Sequence, residues 1–130
     1  MSGTAYLDSS ALVKLIVAEA ESLAFLRWYS ETERVVTSRI GIIETLRAAQ
    51  RHPHDPAYRD RLVRQVDVLE LSARIGNRAS ELQPSGLRTV DAIHLASAIH
   101  ILPALDAFVT YDDRLAAAAR ALGLPVVRPA

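Results

Sequence analysis

Four acidic residues, Asp8, Glu44, Asp91 and Asp112, recur where strand-like runs end or helix-like runs begin. Asp8 closes the apolar run "AYL", with two serines and a helical pattern directly behind it. Glu44 lies in the second turn of "SRIGIIETLRA"; Gly41 and Ala48, at i−3 and i+4, leave its carboxylate uncovered, while Ile42, Ile43 and Leu46 read as the apolar stripe. Asp91 falls in the first turn of "TVDAIHLASAIHI", which is apolar nearly all round, as a buried helix would be. Asp112 follows "FVTY". Taken singly, each has an ordinary role. Asp8 and Asp112 suit helix caps, Asp91 suits the positive end of a helix dipole, and Glu44 suits a solvated helix face. Taken together, they suggest a carboxylate cluster. Such clusters repel unless they are protonated or hold a divalent cation. Oxygen-only donors select Mg²⁺ or Mn²⁺ over zinc. One or two such ions could activate water against a phosphodiester.

The elements that must position these acids alternate. Residues 4–8, 34–38, 107–111 and 125–129 read as strands; 10–18, 20–31, 39–51, 56–69, 73–82, 89–101 and 113–122 read as helices. The prolines of "HPHDP" end the helix before them, and Gly123 stops the last. This order implies a parallel sheet with helices on both faces, with any site at the carboxyl ends of its strands. The 130 residues are expected to form one domain, with no repeat or linker.

Composition narrows the chemistry. There is no cysteine, which excludes disulfides, thiolate metal sites and cysteine nucleophiles. Fifteen basic residues balance fifteen acidic ones, so net charge gives no support to nonspecific nucleic-acid binding. Of the basic residues only Lys14 is lysine. Arg39, Arg88 and Arg114 fall near the expected edge and could contact phosphates. No run approaches the ~20 apolar residues of a membrane span, and the N-terminus lacks a signal-peptide pattern. A cytoplasmic protein without membrane contact is expected.

"YLDSSALVKL", "SRIGIIETLRA", "TVDAIHLASA" and "FVTYDDRLAAAARALGL" resemble, in that order, the four acidic motifs of PIN-domain ribonucleases, and most nearly those of VapC-type toxins of VapBC toxin–antitoxin pairs. The resemblance runs from residue 4 to about 127. It implies a three-layer α/β/α fold around a short parallel sheet. It also implies Mg²⁺-dependent or Mn²⁺-dependent hydrolysis of RNA by water, leaving 5′-phosphate and 3′-hydroxyl ends. Asp8, Glu44, Asp91 and Asp112 would then be both catalytic and metal-binding. Asp8 and Asp91 would be the direct ligands, with Glu44 and Asp112 acting directly or through waters. Ser9 and Thr110 resemble small hydroxyl residues that line such a site, and Asp113 would be an accessory acid or a helix-start residue. The resemblance further implies a homodimer and a VapB-like antitoxin. The antitoxin's C-terminal segment would lie in a groove built from the early helices, with an arginine or lysine reaching the acids; Phe25, Trp28 and Tyr29 there read by themselves as core, with interface the other reading.

Three other readings are open to a chain of this pattern. A phosphoacceptor receiver domain needs an acid pair at the first strand end and a late lysine, but "LDSS" offers one acid and Lys14 lies early. A haloacid-dehalogenase-type phosphatase lacks its D-x-D pair and late lysine for the same reason. The third is a PIN-like module that has lost catalysis and survives through partner contacts.

Overall fold

Residues 2–130 are described in a computed structural model. The first strand, β1 (Ser2–Leu7), sends Ala5 and Leu7 to one face and Tyr6 to the other, and all three are completely buried. A strand covered on both faces belongs in the middle of a parallel sheet. Helix α1 (Ser9–Ile16) follows with only Asp8 between. The chain continues through α2 (Ser22–Ser30), β2 (Thr32–Ser38), α3 (Arg39–Ala49), α4 (Pro56–Gln65), β3 (Asp67–Leu69) and α5 (Ala73–Glu81). It ends with α6 (Thr89–His100), a 3₁₀ turn (Leu102–Ala104), β4 (Leu105–Val109), α7 (Asp113–Ala121) and β5 (Val126–Val127).

All strand pairs are parallel, in the order β3-β2-β1-β4-β5. The chain steps outward from β1 to β3, then returns to the other side of β1 with β4. The switch point therefore lies between β1 and β4, the place where open α/β sheets bind ligands. The receiver order, 2-1-3-4-5, is different, so that reading is excluded by topology as well as by residues.

Each sheet face has its own core. On one, Ala5, Leu7, Val35, Ala107 and Val109 meet Leu12, Leu15, Phe25 and Leu62 from α1, α2 and α4. On the other, Tyr6, Val36 and Phe108 meet Leu95 and Ala98 of α6 and Leu115 and Ala119 of α7. Tyr6 stacks flat on Phe108 across the β1–β4 pair, with ring centres 5.4 Å apart. The result is the three-layer α/β/α arrangement that the motifs imply.

Several local expectations are corrected. Asp8 stands just beyond β1 and caps α1, its Oδ1 accepting the Ala11 N–H at 3.0 Å. The helix expected over 56–69 stops at Gln65, and Asp67–Leu69 becomes the edge strand β3, in register with Val36, Thr37 and Ser38. The last strand shrinks to two residues. On α3, Ile42 and Thr45 are buried while Ile43 is 47% exposed, so the inward stripe is not the one the hydropathy indicates. Lys14 is structural: it donates to the Ala20 carbonyl, pairs with Glu21 at 3.0 Å and lies over the Tyr111 ring.

Gly41 is a close-approach position. A methyl group there would overlap Thr37 Oγ1 and press on His94, both buried and fixed. Gly41→Ala is expected to cost about 1–3 kcal/mol, read from the urea midpoint. A midpoint equal to wild type would contradict this packing.

Candidate active site

The four acids lie at the carboxyl edge of the sheet, each brought by a different element. Asp8 directly follows β1, and only 3% of its surface is exposed. Its Oδ1 accepts from Ser10 Oγ at 2.7 Å and from the Ala11 N–H; its Oδ2 accepts from Thr110 Oγ1 at 2.6 Å. Thr110 is completely buried just beyond β4, and its Oγ1 also accepts the Asp112 N–H at 3.0 Å. One hydroxyl thus ties the first acid to the loop carrying the fourth, across the switch point. Despite these three donors, burial raises the Asp8 carboxyl above the ordinary carboxylate range; His94 and the donors counter it only in part.

Asp112 is the N-cap of α7, with Oδ1 accepting from the Arg114 and Leu115 N–H groups at 2.9 and 3.1 Å. Its Oδ2 lies 3.5 Å from Arg88 Nη2. Arg88 also donates from Nε to Asp91 Oδ2 at 3.1 Å. Asp91 is buried in the first turn of α6, while the Arg88 side chain is largely exposed. A single guanidinium therefore sits between two of the acids. Their charge raises the already high pKa of Arg88, with Asp91 acting first through its hydrogen bond and Glu44 contributing from further away.

Glu44 reaches the cluster through a residue that sequence reasoning missed. His94 Nε2 lies 2.8 Å from Glu44 Oε1, and His94 Nδ1 lies 2.7 Å from Tyr6 Oη. Burial pushes the Tyr6 hydroxyl far above the ordinary tyrosine range, so it keeps its proton. The imidazole thus joins the two, with one ring nitrogen to the Tyr6 hydroxyl and the other to the Glu44 carboxylate. The available signal was spacing: His94 stands three residues after Asp91 in an otherwise apolar helix.

The remaining expected residues are placed as follows. Ser10, not Ser9, supplies the hydroxyl that reaches Asp8; Ser10 Oγ also accepts the Tyr111 N–H at 2.8 Å. Asp113 is 90% exposed and pairs with Arg128 at 2.7 Å, outside the network of the four acids. Arg39 is committed to Glu70 through two hydrogen bonds. Arg114 is exposed on the first turn of α7.

Among the described residues no three acids stand close enough to enclose a metal ion unaided. The donor chemistry nonetheless fits a hard cation. Every side chain offered is a carboxylate or hydroxyl oxygen, Asp8 is a buried carboxylate that burial disfavours as an anion, and a cationic group already bridges Asp91 and Asp112. Replacing that group should be informative. Arg88→Gln is expected to tighten Mn²⁺ binding several-fold at low salt, by removing a competing charge. Isothermal titration in Mn²⁺ checks this, and weaker binding would contradict it.

A family model described as "PIN domain" matches residues 5–121. The chain is 43% identical to Ribonuclease VapC35 of Mycobacterium tuberculosis over 130 residues, covering 95% of this chain and 96% of that one. In structure it is similar to VapC20 of M. tuberculosis, a sarcin–ricin-loop-cleaving toxin, with TM-score 0.73, 21% identity and coverage of 96% and 99%. It is also similar to a chain of a Klebsiella pneumoniae toxin–antitoxin complex, with TM-score 0.68, 23% identity and coverage of 97% and 98%. With the fold, the switch-point acids and the family match in agreement, the chain belongs to the VapC ribonuclease family of PIN-domain proteins.

Proposed function

We propose that this chain is a divalent-cation-dependent endoribonuclease, active in the cytoplasm and restrained by an antitoxin. The observation that carries the reading is the Thr110 hydroxyl, which joins Asp8 to the Asp112 loop at the β1–β4 switch point beside Asp91 and Glu44. Asp8 and Asp91 would hold Mg²⁺ or Mn²⁺, with Glu44 and Asp112 directly or through waters; the ion would supply an activated water and neutralise charge on the phosphodiester. The protein's own share is positioning. Ser10, Ala11 and Thr110 fix both oxygens of Asp8. The Tyr6–His94 pair orients Glu44. Arg88 is free to exchange its carboxylate partners for a phosphate, because its exposed guanidinium needs no rearrangement of the core.

The antitoxin reading is supported by α2. Leu23 and Leu26, three residues apart, are 65% and 40% exposed outside the Phe25–Trp28–Tyr29 cluster, an apolar face suited to a partner helix or strand. The homodimer stands as part of the same proposal. Among the described residues, no helix is long and apolar enough to cross a membrane.

The experiment is incubation of purified, antitoxin-free protein with total RNA in Mg²⁺, Mn²⁺ or EDTA. Discrete cleavage that EDTA abolishes is the expected result. A folded protein that cuts nothing under all three conditions would leave the noncatalytic binding module in its place.

A further inference from the structure

Between the start of α6 and the exposed side of α7 lies a cleft of about 460 Å³ that opens directly onto Asp91. Its walls are Leu87 and the methyl groups of Ala117, Ala118 and Ala121, and Arg88 and Arg114 share the lining. The alanines follow helical spacing. On α7, Leu115, Ala116 and Ala119 face the core, while Ala117 and Ala121, at i and i+4, stay exposed beside the site.

We propose that this cleft is a subsite for one unpaired nucleobase of the RNA, that of a nucleotide flanking the cleaved bond, with Arg88 and Arg114 holding the adjoining phosphates. The proposal rests on the nuclease reading above and adds the part of the substrate that this face recognises. Three observations favour that occupant. First, the cleft shares Asp91 with the acid cluster, so a chain lying across the acids reaches its mouth. Second, its lining is apolar apart from the Asp91 carboxylate and two guanidinium groups, which suits a base face and a phosphodiester backbone together. Third, the aromatic side chains offer few other platforms: Tyr6, Phe25 and Phe108 are completely buried, Trp28, Tyr29 and Tyr111 pack on the core, and Tyr58 of α4 is half-buried beside Arg61. A second copy of the chain would have to bring an acidic surface to the two arginines, whereas RNA brings that charge with every nucleotide.

The test is methyl NMR on protein labelled at alanine and leucine methyls, titrated with the trinucleotides UUU and AAA in calcium buffer. Ring-current shifts at Leu87, Ala117, Ala118 and Ala121 are expected, and their loss when the middle base is replaced by an abasic residue. Ala117→Leu, which fills the cleft from an exposed position, should raise KM for RNA roughly tenfold, as removal of one stacked base would. Methyls that stay silent at saturation, or shift equally with the abasic probe, overturn the subsite. So do shifts that follow protein concentration rather than RNA, which would assign the face to a second copy. Cleavage of RNA with silent methyls defeats the subsite alone; absence of cleavage defeats the nuclease reading whatever the methyls do.

Discussion

Asp8→Asn should abolish RNA cleavage and yet raise the melting temperature of the cation-free protein. The two effects share one cause. Asp8 is almost fully buried, and burial makes its anion unfavourable even with three hydrogen-bond donors around it. Asparagine keeps the acceptor for the Ala11 N–H and Ser10 hydroxyl and removes the buried charge. If Asp8 holds the cation as proposed, asparagine cannot replace it there, and activity should fall by about 10³-fold, equivalent to ~4 kcal/mol of transition-state stabilisation. The melting temperature at neutral pH should rise by a few degrees. Added Mn²⁺ should stabilise the wild type by mass action and leave the variant unmoved.

The pH dependence follows from the direction of the Asp8 shift. A folded-state carboxyl raised above its unfolded value binds its proton more tightly in the native protein. Its contribution is complete below the ordinary carboxylate value and is lost as pH rises through the raised one. Cation-free wild type should therefore gain stability from this group on acidification from neutral pH, and Asp8→Asn should lack that component. Thermal scans with EDTA between pH 4 and 8 measure it. A variant less stable than wild type at pH 7 would show that Asp8 serves mainly as a cap.

His94→Leu should be the most damaging substitution away from the acids. It removes the imidazole from the completely buried Tyr6 hydroxyl, which keeps only the Ser38, Thr37 and Ser97 hydroxyls beside it, and frees Glu44, since His94 Nδ1 and Nε2 serve one each. A lost buried hydrogen bond together with one lost to a charged group costs about 3 kcal/mol. Because Glu44 loses its orienting partner, cleavage should fall roughly 10-fold to 100-fold, the size of effect expected for groups that orient metal-site carboxylates. Tyr6→Phe separates the two contributions: it removes one hydroxyl and leaves the histidine–glutamate contact, so stability should drop by about 1 kcal/mol with little change in kcat. Urea unfolding and initial rates on the same preparations measure both. A kcat for His94→Leu equal to wild type would show that Glu44 needs no orientation.

The positions of Asp8, Asp91 and Asp112 were legible because each depends on local signals. Asp8 and Asp112 follow apolar strands and cap the next helix, and Asp91 opens a helix whose burial shows in its composition. The strand β3 was not legible. Val66, Val68 and Leu69 extend the helical spacing begun by Leu62, and only pairing with the open edge of β2 makes them extended. The choice between Ser9 and Ser10 was equally nonlocal, since Thr110 and Tyr111, a hundred residues away, meet Ser10. Arg88 could be placed near the edge from sequence, but its bridge between Asp91 and Asp112 depends on α6 and the β4–α7 loop converging. His94 was hidden by its neighbours: a histidine among apolar residues reads as core until its two ring nitrogens are seen to join Tyr6 to Glu44.

On the proposed reading, the four acids direct a cation-dependent attack of water on an RNA phosphodiester. Mapping the ends left on a single cleaved RNA tests it most directly. Attack by water should leave 5′-phosphate and 3′-hydroxyl termini, formed in Mg²⁺ or Mn²⁺ and absent in EDTA. A 2′,3′-cyclic phosphate with a 5′-hydroxyl, formed equally well in EDTA, would mean that the neighbouring ribose hydroxyl is the nucleophile and that the acids do other work.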